Sequence, residues 1–364
     1  MVEFLDLRAA AQARRDALMA AAGAVIDSGW FIMGEQVEAF EREFAGYCDA
    51  PGAVGVANGL DAISLALRAL GIGADDEVIV PSNTYIATWL AVSHVGAKPV
   101  GVEPDITTYN LDPALVEAAI TPATRAIIAV HLYGQPADLD PLREIAQRRG
   151  LALIEDAAQA HGARYKGKRI GSGEDSIVTW SFYPGKNLGA LGDGGALTAN
   201  AGVIKSVAKL RNYGSVRKYE HEIIGYNSRL DEMQAAFLRV KLPHLDEEND
   251  RRRAIAARYT AGFADANLVL PFVPDWAEPV WHLYVVRHAD RDGLAAHLKA
   301  SGVSTVIHYP TPPHRQPAYA SLGLGEGSFP ISERIHREVL SLPIGPMLTD
   351  DDVDHVINAV RSFG

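Results

Sequence analysis

The chain has 364 residues, of which 48% are hydrophobic and 22% charged, with a formal net charge of −11. That length and composition describe a globular protein of one large or two moderate domains, and they exclude a disordered or fibrous chain. The acidic balance lacks the basic footprint that nucleic-acid binding needs. A single cysteine, Cys48, excludes an internal disulfide framework and a cysteine-built zinc site. The opening MVEFLDLRAA has neither the basic region nor the apolar core of a signal peptide, and no run of 18 apolar residues is present. The expectation is a cytoplasmic protein that neither enters a membrane nor binds nucleic acid or metal.

In chain order, the first half alternates between two textures. Short apolar runs predict strands at Val54–Asn58, Glu77–Pro81, Pro99–Glu103, Arg125–His131, Leu151–Asp156, Ser176–Phe182 and Gly195–Ala199. Several are apolar at consecutive positions, as suits strands buried on both faces. Amphipathic stretches at Asp61–Leu70, Ile86–Val95 and Asp140–Arg149 predict helices between them. Strands alternating with helices predict an α/β domain with a mainly parallel sheet. After Leu230 a long helical pattern runs from Asp231 to about Phe263, and its charged middle, LDEENDRRR, reads as a solvated face. Strand patterns at Trp281–Arg287 and Val303–His308 then mix with helices at Asp292–Ser301 and Asp350–Phe363. The predicted organisation is a large α/β domain over residues 1–240 and a small α+β domain over 241–364.

Four stretches carry chemistry. In Ser181–Gly195 a lysine, Lys186, sits in a glycine-rich loop between two apolar runs. A nucleotide-hydrolase phosphate loop needs G-x-x-x-x-G-K-[ST] opening a helix, and here Asn187 follows the lysine and most glycines come after it. A solvated loop lysine and a Schiff-base lysine, nucleophilic because its pocket lowers its pKa, both remain. Asp156 ends an apolar run, where open α/β sheets bind ligands. A helix cap is one use for it, and a partner for a pyridinium nitrogen is another. Asn58-Gly59-Leu60 links a strand to a helix, so it is either a plain turn or a backbone anion site at a helix start. Tyr85, at another strand end, suits either stacking on a planar ring or burial in the core. The four together supply what a pyridoxal phosphate (PLP) site requires.

The succession NGLDAI, PSNTYIAT, IEDAAQAHGA, SFYPGKNLGALGDGGA and GYNSRLDEMQAA closely resembles the nucleotide-sugar aminotransferases of the DegT/DnrJ/EryC1/StrS family, from Trp30 to LSLPIGPMLTDDDV. The resemblance implies the aspartate aminotransferase type I fold and PLP as cofactor. It implies Lys186 as the Schiff-base lysine and Asp156 as partner of the ring nitrogen. Gln159 would bond the ring hydroxyl, and Tyr85 would stack on the ring. The amides of Gly59 and Leu60 with the Ser181 hydroxyl would hold the phosphate, completed by Asn227 of a neighbouring subunit in a homodimer. The family also holds dehydratases with histidine in place of the lysine, so Lys186 points to transamination. The YNSRLD stretch, with Asn212–Ser215 and Arg217–Tyr219, resembles members that aminate carbon 3 of dTDP-3-keto-6-deoxyhexoses, typically from glutamate. Lys218 would meet the sugar diphosphate, or be a solvated loop lysine. His308 and Tyr309 would line the sugar pocket, with a structural role the alternative for His308. Trp30 and Phe31 would border that pocket or lie in the core. The competing readings are a 4-aminotransferase, a UDP-sugar 3-aminotransferase, a PLP-binding regulatory protein without turnover, and a phosphate-binding module without PLP.

Overall fold

The computed structural model describes residues 1–363. Seven strands form the central sheet: β1 (Ala53–Val56), β2 (Glu77–Pro81), β3 (Lys98–Val102), β4 (Thr124–Val130), β5 (Ala152–Asp156), β6 (Val178–Ser181) and β7 (Gly195–Thr198). Their order across the sheet is β1-β7-β6-β5-β4-β2-β3. Pairing is parallel from β6 through β3, and β7 alone runs antiparallel, between β1 and β6. Apolar clusters cover both faces of the sheet, which is why β4 is unbroken and apolar from Ala126 to Val130. The carboxyl ends of β1, β2, β4, β5 and β6 therefore open along one edge. Register places Asp156 beside Val130 on one side and Thr179 on the other.

A third apolar cluster occupies the C-terminal part, where β8 (Tyr284–Arg287) pairs antiparallel with β9 (Val339–Leu342). Helices Arg291–Ala300 and Asp350–Arg361 pack there, the second started by a Thr349–Asp352 capping box. Val2 joins this cluster through a parallel bridge to Val303, so the first residues of the chain lie with the last hundred. Among the described residues no helix is long and apolar enough to cross a membrane, and no His, Cys, Asp or Glu group could hold a metal ion.

Three expectations are corrected. The long helix from Asp231 is two, Glu232–Lys241 and Leu245–Gly262, joined by a 3-10 turn at Leu242–His244. Pro243 causes the break, because it lacks an N–H and its ring crowds the preceding turn. The charged run after it is not wholly solvated. Arg252 is only 4% exposed and donates to the carbonyls of Trp281 and Ile344, and burial pushes its pKa down to about 10. Val303–His308 forms no strand beyond single bridges, Val303 to Val2 and Val306 to Ser341. Prolines at 310, 312 and 313 interrupt the chain directly after it.

Candidate active site

A cavity of about 1000 Å³ opens along the carboxyl edge of the sheet. Gly59, Leu60, Tyr85, Asp156, Gln159, Ser181, Lys186, His308 and Tyr309 all line it. Asn227 and Lys218 do not. Asn227 is exposed, bridged through its backbone to Asn212, and Lys218 lies on the exposed Ser215–His221 hairpin with its ammonium 5.2 Å from the Tyr219 ring centre. Trp30 and Phe31 are neither core nor lining: they are 63% and 53% exposed.

One end of the cavity is a backbone cradle. Asn58 caps helix Gly59–Ala69, its Oδ1 accepting the Asp61 N–H at 2.8 Å. Helix geometry leaves the amides of Gly59 and Leu60 without an intrahelical acceptor. Ser181, ending β6, packs so close that a Cβ on residue 59 would lie 2.6 Å from its Cβ. Only glycine lets the strand end and the helix start meet. Two free amides, a hydroxyl and a helix N-terminus together favour an anion with several oxygens.

In the middle of the cavity stands Asp156, 6% exposed. Its Oδ2 accepts from Thr88 Oγ1 at 2.9 Å, and its Oδ1 accepts from the Ala158 N–H at 3.2 Å. Burial raises its pKa, against the lowering effect of those two bonds and of the charges of Lys186 and His131. Lys186 follows a turn in which its N–H donates to the Tyr183 carbonyl at 2.8 Å. Burial lowers its pKa to about 8, opposed by the charge of Asp156. An amine that loses its proton near neutrality can act as both nucleophile and proton carrier.

The far wall comes from the 308–309 segment, whose His308–Tyr309 peptide is cis. Gln159 connects it to the sheet: Oε1 accepts the Tyr133 N–H at 2.6 Å, and Nε2 donates to Tyr309 Oη at 3.0 Å. Tyr133 Oη in turn donates to the His308 carbonyl at 2.6 Å. The Tyr85 and Tyr309 rings lie 5.0 Å apart at 35°. His308 bonds Ser341 Oγ through Nδ1 at 2.9 Å, and burial, with the charge of Lys186, lowers its pKa to about 4. Sequence reasoning missed Thr88 and His282, which also line the cavity. Thr88 lies inside the PSNTYIAT stretch, three residues beyond Tyr85, where one helical turn aligns them. His282 carries no local signal.

The geometry defines an α/β enzyme site in which an activated lysine and a buried carboxylate share a cavity with an anion cradle. The model of the DegT/DnrJ/EryC1/StrS aminotransferase family matches residues 12–361. The dTDP-3-amino-3,4,6-trideoxy-alpha-D-glucose transaminase of Streptomyces venezuelae is 56% identical over 100% of this chain and 96% of its own. The dTDP-3-amino-3,6-dideoxy-alpha-D-galactopyranose transaminase of Aneurinibacillus thermoaerophilus is 52% identical over 100% of both chains. Among solved structures, S. venezuelae DesV in complex with a ketimine intermediate superposes with a TM-score of 0.98 at 56% identity, covering 100% of this chain and 98% of DesV. The chain belongs to the DegT/DnrJ/EryC1/StrS aminotransferase family.

Proposed function

We propose that this protein is a PLP-dependent transaminase that moves an amino group, from glutamate, to carbon 3 of a dTDP-3-keto-6-deoxyhexose, forming a dTDP-3-amino-3,6-dideoxyhexose. The observation that carries the reading is Lys186 with its lowered pKa in one cavity with the buried Asp156 and the Gly59–Ser181 cradle. The donor set fits the cofactor. The amides of Gly59 and Leu60 and the Ser181 hydroxyl suit its phosphate, and Asp156, whose ionised form lacks a cation in contact, suits a protonated ring nitrogen. Bound there, PLP supplies the electron sink that makes a proton on the substrate carbon removable.

The chain's own residues do the rest. Asp156 would keep positive charge on the ring nitrogen, and Thr88 and the Ala158 amide hold that carboxylate in place. Lys186 Nζ would hold the cofactor and, when free, would carry the proton to and from the reacting carbon. Proton transfer by a positioned group contributes about 10²–10⁴-fold. Tyr85 would stack on the cofactor ring, and Tyr309 and His308 would wall the sugar side, with Gln159 linking Tyr309 to the sheet.

A homodimer with shared sites completes the proposal. Asn227 is exposed beside an apolar surface of Tyr213, Val216, Tyr219, Ile224 and Tyr226, and large exposed apolar patches mark interfaces. A partner's Asn227 would reach the cofactor phosphate, and Lys218 on the neighbouring hairpin would meet the sugar diphosphate. Carbon 3 rests on the resemblance and on the two relatives, both of which are named for a 3-amino sugar.

The test is the visible spectrum of the PLP-loaded protein. Glutamate should bleach the cofactor band and dTDP-3-keto-6-deoxyglucose should restore it, with nitrogen found at carbon 3 by NMR. Bleaching that this sugar fails to reverse would remove the substrate assignment. Absence of any band after PLP addition would remove the cofactor.

A further inference from the structure

Beneath Lys186 runs a line of side-chain amides whose polarity is set at one end by a backbone carbonyl. Asn249 is fully buried, and its Nδ2 donates to the His161 carbonyl at 2.9 Å. Its Oδ1 therefore faces the other way and accepts from Asn187 Nδ2 at 2.9 Å. That same Nδ2 donates to the Val280 carbonyl at 3.0 Å. Both N–H groups of Asn187 thus point at oxygens, and a flipped amide would set oxygen against oxygen twice. The Asn187 Oδ1 is left facing His282 Nδ1 at 3.2 Å. An amide oxygen only accepts, so His282 Nδ1 carries the hydrogen.

His282 is neutral. Burial, then the charge of Lys186 and that of Arg252, holds its pKa well below the usual histidine range. The other titratable groups facing it, His308 and His161, are themselves lowered, to about 4 and about 3. A neutral imidazole with its hydrogen on Nδ1 has a bare lone pair on Nε2. His282 lines the same cavity as Lys186, whose ammonium gains no hydrogen bond from the chain.

We propose that His282 is a positioning residue for Lys186: its Nε2 accepts an N–H of the free lysine amine and so aims the amine's own lone pair at the reacting carbon. This deepens, and rests on, the aminotransferase reading. No proton changes hands between the two residues. The amine keeps its N–H and the imidazole keeps its Nδ1 hydrogen. The tautomer matters because the reverse form would donate into the lysine lone pair and occupy the base. The line from the His161 carbonyl through Asn249 and Asn187 is what prevents that form.

Two experiments test this. The first uses the full-length protein labelled with 15N-histidine, with and without PLP. His336 and His221 also hold a hydrogen on Nδ1 facing a carbonyl, so His282 is read as the protonated-Nδ1, bare-Nε2 signal that His282→Gln removes while the others stay. A protonated Nε2 on His282 would overturn the proposal, and His282→Asn assigns the signal should His282→Gln fail to fold. The second follows each half-reaction separately in the PLP-loaded enzyme. His282→Leu should slow both the glutamate and the ketosugar half-reactions by about 10²-fold, the scale of a misplaced catalytic group, with KM unchanged for each. His282→Gln, which keeps an acceptor near the Nε2 position, should recover most of that rate. Slowing of the sugar half-reaction alone would make His282 a sugar contact and overturn the proposal, as would wild-type rates in His282→Leu. A wild-type chain inactive toward both substrates would instead overturn the aminotransferase reading, whatever tautomer the NMR reports.

Discussion

Adding one methyl group at Gly59 tests the anion cradle directly. In Gly59→Ala the new Cβ would lie 2.6 Å from Ser181 Cβ and 3.2 Å from Ser181 Cα. Ordinary contact begins near 3.4 Å, so helix start and strand end must separate by roughly 0.8 Å. The nearer atoms belong to backbone and to a short side chain, so no flexible group can swing aside. An amide placed about 2.9 Å from a phosphate oxygen would move to about 3.7 Å, beyond hydrogen-bond range. Bonds to a charged acceptor contribute about 1.5–3 kcal/mol each. Losing one weakens PLP binding by about 10- to 150-fold. Overpacking should also cost the cofactor-free protein roughly 1–3 kcal/mol of stability. The assay is PLP titration of the cofactor-free variant by absorbance, paired with urea denaturation. Gly46→Ala is the control: its Cβ meets nothing within 4 Å, near the end of helix Glu35–Tyr47. It should leave PLP affinity alone and raise stability by roughly 0.5–1 kcal/mol. Wild-type PLP affinity in Gly59→Ala would refute the cradle.

Three further outcomes are expected. Lys186 has a folded pKa of about 8, below the ~10.4 of an unfolded lysine, so the unfolded chain binds more protons between those values. The cofactor-free protein should therefore gain stability relative to Lys186→Met as pH rises from 8 towards 10, and a constant gap in Tm would count against a buried amine. Glu232, 2% exposed, accepts the N–H groups of Gly34, Gln36 and Val37 at the start of helix Glu35–Tyr47. Glu232→Gln turns one acceptor into a donor facing an amide and should cost roughly 1–3 kcal/mol in urea denaturation, with no loss speaking against the arrangement. Lys186→Ala should be inactive and Asn227→Ala should hold PLP too loosely to turn over at limiting cofactor, yet mixed dimers should carry one site with neither lesion. Confirmed mixed dimers without recovered turnover would remove the shared site.

Much of the fold is legible in the residues because its signals are local. The Val-Ile-Val run between Glu77 and Pro81 predicts β2 to the residue, and β4 and β5 fall within one residue of their apolar runs. Burial on both faces keeps the middles of such strands apolar and leaves polar residues to their ends, so composition and position coincide. What is not legible depends on distant partners. Arg252 reads as one charge among several in LDEENDRRR, and only the carbonyls of Trp281 and Ile344, contributed by other segments, make it buried. The helix pattern from Asp231 to Phe263 continues across Pro243 because good helix formers flank it. There the local steric rule at one residue overrides a periodicity averaged over thirty.

The site divides along the same line. Strand ends and the loops that leave them are contiguous in sequence, so Gly59, Tyr85, Asp156 and Lys186 stand in recognisable stretches, and the parallel sheet brings those stretches to one edge. His282 arrives from the entry to β8, and in the sequence Trp281–Arg287 reads only as an apolar strand. Its place is set by Asn187, 95 positions earlier, and through it by Asn249 and the His161 carbonyl. None of these contacts has a spacing that a periodicity could reveal. The same holds for Asn227 and Lys218, which lie outside the cavity of their own chain. A residue that serves a neighbouring subunit need not lie near any site in its own fold, so the mixed-dimer experiment reports on Asn227 where geometry within one chain cannot.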